Sequence, residues 1–229
     1  MDPKTTQPDP QAAKPDNTKD PTVGKSKIEK ETGTVNDRIF DVLPNYVSLG
    51  GRKTIQPMTT GQKFILATAG VFDWGAYPFN CVLSAIGQAK NDPASWGQGW
   101  GAYAKRYGAN FADNGIGTFN TVAIYPSLLH EDPRYFQLGK GPFGHRFGYG
   151  LSRLFVTRTD SGRTQFNYSE TLGNATAAAI SNIYHAPEDR TASRNATTLG
   201  FLILYDGLSN ELKEFWPDIR RKVLHKNNP

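Results

Sequence analysis

Residues 96–115 read WGQGWGAYAKRYGANFADNG, and this stretch decides the fold class of the chain. Small residues recur in it every three or four positions, which places them on one face of an α-helix. They are Gly97, Gly101, Ala104, Gly108, Ala112 and Gly115. Because small side chains let two helix backbones approach closely, the pattern predicts a helix that packs tightly against another helix along this stripe.

The boundaries of this helix and of its neighbours follow from capping residues. Asp92 followed by Pro93 is typical of an N-cap with proline at the first helical position, so we expect the helix to run from Asp92 to about Gly115. Asn167 with Glu170 three residues later resembles a capping box. Further helices are predicted over residues 64–74, 79–89, 168–184, 198–215 and 217–226. The sequence therefore predicts an all-α bundle of about six close-packed helices.

Close packing of this kind occurs in membrane bundles as well as in soluble ones. A second small-residue stripe, at Gly173, Ala177 and Ser181, repeats the spacing. The most apolar window, residues 64–87, contains Asp73 and falls short of the roughly 18 uncharged apolar residues of a membrane span. We expect a soluble bundle with close helix crossings, and helices embedded in or lying on a membrane are the alternative.

Polar residues recur inside the apolar segments. Asp73 and Asn80 are seven residues apart, and Asp206 lies four residues before Asn210. Residues at these spacings face the same side of a helix, and we expect them to hold helices together by hydrogen bonds along a water-filled seam. The functional alternative is a polar core, an ion path or a hydrated cavity.

Residues 1–30 differ in composition from the rest of the chain. They hold five prolines among alternating Lys and Asp side chains and almost no large apolar residue. Such a segment cannot bury enough apolar surface to offset its ordering entropy, so we expect a flexible tail followed by a single helical domain over 31–229. The tail lacks a basic region followed by an apolar stretch, so no secretory signal is expected in the sequence as given.

The net charge of +5 is concentrated in one part of the chain. Between residues 134 and 163, six Lys and Arg side chains occur against Asp160 alone. A basic helix over 143–155, with Arg146 and Arg153 two turns apart, would fit an anionic lipid surface or a phosphate-bearing glycan, and a solvated helix face is the alternative. The predicted anion-binding residues are Arg134, Arg146, Arg153, Arg158 and Arg163.

A polar cluster around His130 holds the residues that could carry chemistry. Glu131, Asp132 and Arg134 follow it directly, and His145 comes a short distance later. In an enzyme, His130 or His145 would exchange protons near neutral pH while Asp132 orients an imidazole ring. The alternative is a structural turn held by arginine–carboxylate pairs, so the catalytic residues stay unassigned.

Known signatures exclude several kinds of site. Residues 139–144 match a dinucleotide-binding fingerprint, but no predicted strand precedes them. Arg134 occupies the position where a zinc-binding H-E-x-x-H motif needs its second histidine, and Cys81 is the only cysteine. No metal site and no cofactor are therefore expected. Nucleic acid is the least favoured partner, because the aromatic residues follow the small-residue stripe and not the arginines.

Three blocks of sequence carry a resemblance: HEDPRYF at residues 130–136, TRTDSG at 157–162 and KEFWPDIRRK at 213–222. They resemble blocks of a group of uncharacterised bacterial proteins, acidobacterial ones especially, and the similarity extends from about residue 28 to about residue 222. Members of this group look like exported envelope proteins with a signal peptide before a Pro-rich tail, and no activity is attached to the blocks. The resemblance implies a location in the cell envelope, in the periplasm or at the membrane.

These observations lead to one expected function and one alternative. We expect a non-enzymatic envelope protein, a packing or scaffold protein whose basic region from Arg134 to Arg163 contacts anionic lipid, glycan or another envelope protein. The alternative is an enzyme that acts on an anionic envelope substrate through His130 or His145.

Overall fold

The computed structural model describes residues 26–34, 38–40, 45, 48–49, 56–185 and 187–223, and these residues are mainly helical. The α-helices are α1 (Lys27–Thr32), α2 (Thr60–Val71), α3 (Ala76–Ala89), α4 (Trp100–Thr118), α5 (Tyr125–Leu128), α6 (Phe143–Ser152), α7 (Tyr168–Ser181) and α8 (Ala192–Val223). A π-helical segment, Phe119–Ile124, joins α4 to α5. Three short strands form one antiparallel sheet in the order β1 (Glu131–Asp132), β2 (Val156–Thr159) and β3 (Thr164–Phe166). The predicted all-α bundle is confirmed, and the small sheet is an addition that the sequence did not indicate.

Side-chain capping bonds set the starts of α2 and α7. The Thr59 hydroxyl accepts a hydrogen bond from the Gln62 backbone N–H (3.3 Å), and the Gln62 side chain accepts one from the Thr59 N–H (2.9 Å), which starts α2 four residues before the predicted start. At the predicted start of α7 the Asn167 side chain accepts a hydrogen bond from the Glu170 N–H at 3.0 Å. The predicted basic helix over 143–155 is present as α6, which ends at Ser152 and has no side-chain cap.

The start of the described chain differs from the prediction. Residues 1–25 of the predicted tail lie outside the described residues, but residues 27–30 belong to α1. Ser26 caps this helix and forms a reciprocal capping box with Glu29, at 3.3 and 2.8 Å. Helix α1 therefore begins a few residues before the predicted boundary at about residue 30, because the Ser-x-x-Glu signal starts it there.

Helix α8 is continuous through Pro217, which the sequence predicts to separate two helices. Proline lacks the N–H that would bond to the carbonyl four residues earlier, which here is the Lys213 carbonyl. That carbonyl accepts a hydrogen bond from Gln137 Nε2 at 2.7 Å instead. The prediction of separate helices over 198–215 and 217–226 is therefore wrong, because a side chain from outside the helix satisfies the acceptor that Pro217 leaves open.

Helix α4 begins at Trp100 and not at Asp92, so the predicted start of the small-residue helix is wrong. Gly97 and Gly99 have φ angles of +67° and +94°, and a residue with such a φ cannot continue a right-handed helix. Between Asp92 and Trp100 the chain forms a short 3₁₀ turn and a loop. At its other end the helix continues past Gly115 into the π-helical segment.

The predicted packing stripe of α4 is wrong at its centre. Gly101, Ala104 and Gly108 are exposed, and a Cβ atom added at Gly97, Gly101 or Gly108 would meet no atom within 4 Å. The buried face of α4 contains Arg106, whose guanidinium donates hydrogen bonds to three backbone carbonyls of the preceding loop at 2.9–3.0 Å. These bonds turn the arginine face toward the bundle, so the glycine face is left in solvent.

The second small-residue stripe packs as its spacing predicts. Gly173, Ala177 and Ser181 of α7 are all buried. A Cβ atom at Gly173 would lie 2.8 Å from Thr121 Cγ2 and 3.1 Å from the Thr121 backbone nitrogen, so α7 crosses the π-helical segment in direct backbone contact. Gly115 of the first stripe also packs, with a valine methyl of α2 at 3.4 Å from the position of an added Cβ. Close helix crossings therefore occur, but mainly through α7.

The bundle buries several charged side chains in pairs. Lys63 Nζ lies 2.9 Å from Asp160 Oδ2, and Arg38 pairs with Asp73 at 2.6 Å. Removing one partner of a buried pair leaves an uncompensated charge, so these pairs constrain how the helices are placed against one another.

Among the helices of the described ranges, none combines the length and the apolar character that crossing a membrane requires.

Gly108 and Gly173 form a matched pair of helical glycines for testing this packing. Gly108→Ala is expected to raise the free energy of unfolding by about 0.5–1 kcal/mol, because alanine favours an exposed helix. Gly173→Ala is expected to lower it by about 1–3 kcal/mol, because the added methyl group would overlap with Thr121. Urea unfolding followed by circular dichroism measures both changes. Destabilisation by Gly108→Ala, or a neutral Gly173→Ala, would contradict the packing.

Candidate functional site

A polar cavity of about 110 Å³ lies between the β-sheet, α7 and α8. Helix α8 contributes Asp206, Asn210 and Lys213, whose spacings of four and three residues place them on one face of the helix. The opposite side contributes Arg153 and Arg158. Other residues that border it include Glu131, Asp132, Phe136, Thr157, Asn167, Ser169 and Glu170. The polar cavity thus brings together charged side chains of both signs from distant parts of the sequence.

Two arginines border the polar cavity without an acidic partner. Arg158 lies on β2 opposite Asp132, and its guanidinium carbon is 4.2 Å from the centre of the Phe136 ring. Arg153 follows α6 and lies 4.5 Å from the centre of the Tyr149 ring. Within the described residues, no carboxylate forms a salt bridge with either arginine. Arg153 Nε and Nη2 also donate to the Ser152 hydroxyl at 3.3 and 3.2 Å. The rings hold both guanidinium groups in place, and the remaining N–H donors are available to a ligand.

The other predicted anion-binding arginines have different roles. Arg134 is 5% exposed and pairs with Asp132 at 2.6 Å, and it also donates to two backbone carbonyls at 2.8 Å. Arg146 is 6% exposed and pairs with Glu214 at 2.9 Å. Arg163 is exposed beside the β2–β3 turn and does not border the polar cavity. Arg134 and Arg146 therefore neutralise buried carboxylates and are not exposed parts of the predicted basic region.

Three ionisable side chains in the polar cavity perturb one another. Burial raises the pKa of Glu170 well above its usual value, and the charge of Asp206 and a hydrogen bond with it raise that pKa further. Asn174 Nδ2 donates to Glu170 Oε1 at 3.1 Å and to Asp206 Oδ2 at 3.0 Å, so it bridges the two carboxyl groups. Burial lowers the pKa of Lys213, although both carboxylates oppose this change. Glu170 therefore keeps its proton to a higher pH than an isolated glutamate does.

The first turn of α7 contains one unused polar group. The Glu131 carboxylate, which is 1% exposed, accepts hydrogen bonds from the backbone N–H groups of Tyr168 (3.3 Å) and Ser169 (2.9 Å). The helix N-terminus is therefore already occupied by a protein carboxylate. The Ser169 hydroxyl is buried and has no hydrogen-bond partner among the described residues. It borders the polar cavity and is free to bond with a molecule bound there.

The histidines singled out in the sequence do not belong to this site. His130 and His145 are both exposed, and neither borders the polar cavity. Asp132 does border it, but its carboxylate is paired with Arg134 and not with an imidazole ring. The structure therefore does not bring His130, Asp132 and His145 together, and the alternative of a turn held by an arginine–carboxylate pair describes Asp132 and Arg134.

Residues from all three sequence blocks meet at the polar cavity. The block at 130–136 supplies β1, the block at 157–162 pairs with it as part of β2, and the block at 213–222 supplies Lys213 from α8. Sequence analysis missed Glu170 and Lys213 as site residues. The four-residue spacing of Asp206 and Asn210 was the available signal, and both residues border the polar cavity.

Neither metal-binding residues nor similar proteins identify a function for the polar cavity. Among the described residues, no cluster of three or more His, Cys, Asp and Glu side chains has the arrangement of a metal site. Comparison of the chain with protein-family models, curated proteins and solved structures found no match. The geometry of the polar cavity is therefore the basis for a functional proposal.

The raised pKa of Glu170 predicts a pH-dependent stability. The folded protein binds this proton more tightly than the unfolded chain, so the stabilisation is complete at low pH and is lost as pH rises through the raised pKa. Glu170→Gln, which stays neutral, is expected to be more stable than the parent at about pH 8 and nearly equal to it at about pH 4. Urea unfolding across this range measures the difference. The exposed Glu188→Gln is the matched control and should follow the parent, and a parallel pH profile for Glu170→Gln would contradict the burial of this charge.

Proposed function

We propose that the polar cavity binds the anionic group of a ligand and that the chain acts as a non-enzymatic binding protein. One observation carries this proposal: Arg153 and Arg158, both held against aromatic rings and without acidic partners, border the same small cavity. Arginine forms paired N–H bonds with phosphate and carboxylate oxygens, which suits it to binding such groups. We therefore propose anion binding in this cavity, whereas the sequence predicted it for an exposed basic region.

The size of the polar cavity limits what part of a ligand enters it. Its volume of about 110 Å³ is below the roughly 300–1,000 Å³ of sites that enclose a whole small organic molecule. A phosphate, sulfate or carboxylate group is small enough to enter, and the remainder of the molecule would extend outside. This suits a head group or a substituent of a larger molecule better than a free metabolite.

Protonation of Glu170 removes one obstacle to an anion in the polar cavity. A neutral carboxylic acid adds no negative charge, whereas an ionised one would repel an anion. Because burial and Asp206 raise the pKa of Glu170, this neutral form extends to higher pH. The Ser169 hydroxyl, which has no partner among the described residues, supplies a donor. The two arginines and this hydroxyl together form a set of donors for one anion.

We place this binding in the cell envelope, with anionic lipid, glycan or an envelope protein as the source of the anionic group. Support comes from the sequence resemblance and from the Pro-rich composition of the first thirty residues. Phosphate groups on lipids and glycans match the size of the polar cavity and the charge of Arg153 and Arg158. If the molecule bound in the polar cavity is itself a component of the envelope, binding attaches the chain to the envelope, as a scaffold role requires.

An enzyme acting on an anionic envelope substrate is the second candidate function. The observation that favours it is the paired Glu170 and Asp206, because perturbed carboxyl groups in a cavity are typical of acid–base catalysis. Proton transfer would then belong to Glu170 and not to His130 or His145, which lie outside the polar cavity. A reaction would consume the bound molecule, whereas a binding protein leaves it intact.

Replacing the two arginines of the polar cavity tests the proposal. Arg153→Gln and Arg158→Gln are each expected to weaken binding of glycerol phosphate by about 10-fold or more, because each removes charged hydrogen bonds to the phosphate. Arg163→Gln is the matched control, since Arg163 is exposed on the same hairpin and outside the cavity, and it should bind as the parent does. Isothermal titration calorimetry gives the affinities.

Thermal melting of each variant separates loss of binding from loss of folding. If the Arg153 and Arg158 variants fold and bind as tightly as the parent, the proposed site is wrong. If Arg163→Gln loses as much affinity as they do, the binding is nonspecific attraction by net charge. Release of inorganic phosphate by the parent, abolished in Glu170→Gln, would decide for the enzyme.

A further inference from the structure

An apolar trough of about 440 Å³ lies between α3 and α8, with α4 as its floor. Leu83 and Ile86 of α3 face Phe201, Leu204 and Leu208 of α8 across it. These five side chains are 39–65% exposed, although each is aliphatic or aromatic. The volume of the trough falls within the range of sites that enclose small organic ligands.

The two ends of the apolar trough differ in polarity. At one end the rings of Phe79 and Tyr205 meet, with their centres 5.6 Å apart, and connect α3 to α8. At the other end Arg194 of α8 pairs with Asp92 at 2.7 Å, and Lys90, two residues before Asp92, also lines the trough. A ligand in the trough would therefore have an apolar end and a charged end.

The charged end carries an excess of positive charge. Lys90, Arg106 and Arg194 line it, against the carboxyl groups of Asp92 and Asp113. Burial raises the pKa of Asp113, which opposes its ionised form. In the part of the chain that the structure describes, no carboxylate pairs with Lys90. An anionic head group at this end would meet complementary charge.

Two buried polar atoms lie in the wall of the apolar trough without a hydrogen-bond partner among the described residues. They are Asn80 Oδ1 and His185 Nδ1. Asn80 is 1% exposed, and its Nδ2 group already donates to the Ala76 carbonyl at 2.8 Å. The Trp96 ring stacks on His185 with centres 5.1 Å apart. A fatty acid has no donor for these atoms, so the exposed apolar walls and the basic end carry the choice of ligand.

We propose that the apolar trough binds a fatty acid, with its acyl chain between α3 and α8 and its carboxylate at the Lys90 end. Along α3 the distance from Phe79 to Lys90 is about 16 Å at about 1.5 Å per residue, which suits a chain of medium length. The fatty acid buries the exposed aliphatic walls and pairs its charge with the unpaired lysine.

This site is separate from the polar cavity and does not rest on the function proposed for it. The two sites share no lining residue. Helix α8 lies between them: Leu204 and Leu208 line the trough, whereas Asp206 and Lys213 line the polar cavity. Failure of phosphate binding in the cavity therefore leaves the trough untouched, and the reverse also holds.

Binding of myristate to the full chain, measured by calorimetry below its micelle concentration, tests the proposal. One molecule is expected to bind per chain, with affinity rising about four-fold for each added methylene across a series of shorter chains. Ile86→Gln and Leu204→Gln should each weaken binding by about 10-fold, because each removes apolar wall. Leu128→Gln is the matched control, since Leu128 is 69% exposed and lies outside the trough.

The head group is tested separately with Lys90→Gln. This variant should bind myristate about 3- to 5-fold more weakly and bind the uncharged myristyl alcohol as the parent does. Absence of myristate binding by the parent, or unchanged binding by both wall variants, would overturn the proposal. Self-association of the parent that Leu204→Gln abolishes, without fatty-acid binding, would assign the trough to a second copy of the chain instead.

Discussion

The structure depends on one buried carboxylate, that of Glu214 in α8. It is 0% exposed and accepts hydrogen bonds from Arg146 Nε (2.9 Å), the backbone N–H groups of Leu138 (3.0 Å) and Gly139 (2.9 Å), and the Tyr135 hydroxyl (3.2 Å). A buried charge is tolerated only when its hydrogen-bonding capacity is met, and here four donors from α6 and from the segment after β1 meet it. This contact therefore fixes α8 against both, and with it the position of every α8 side chain that lines a site.

Fixing α8 creates the two sites on either side of it. Asp206 and Lys213 complete the polar cavity, while Leu204 and Leu208 form one wall of the apolar trough. The polar cavity is costly to build, because it places Glu170 beside Asp206 and raises the Glu170 pKa. Groups that destabilise a fold and yet face a cavity are typical of functional sites, and this cost supports a ligand-binding role for the cavity.

The sequence predicted the features that depend on neighbouring residues. The capping residue Asn167 located the start of α7, and the small-residue stripe of α7 packs as its spacing indicates. The predictions failed where contacts with other parts of the chain decide which side chains are buried. Arg106 binds loop carbonyls and so buries its own face of α4 instead of the glycine face, and Arg146 pairs with Glu214, 68 residues away. Spacing reports that residues share a face but not which face is buried, and charge counts do not reveal which arginines are already paired. The division of the arginines into structural and ligand-facing ones therefore required the structure.

Anomalous X-ray scattering from crystals soaked in selenate would show which arginines are ligand-facing and which are structural. Selenate carries the negative charge and the acceptor oxygens that a phosphate group presents, and selenium marks its position without reference to affinity or folding. We expect a selenium peak in the polar cavity between the guanidinium groups of Arg153 and Arg158, with Arg134 and Arg146 still bound to their carboxylates. Selenium peaks confined to exposed arginines such as Arg163, with none in the cavity, would contradict this division of the arginines.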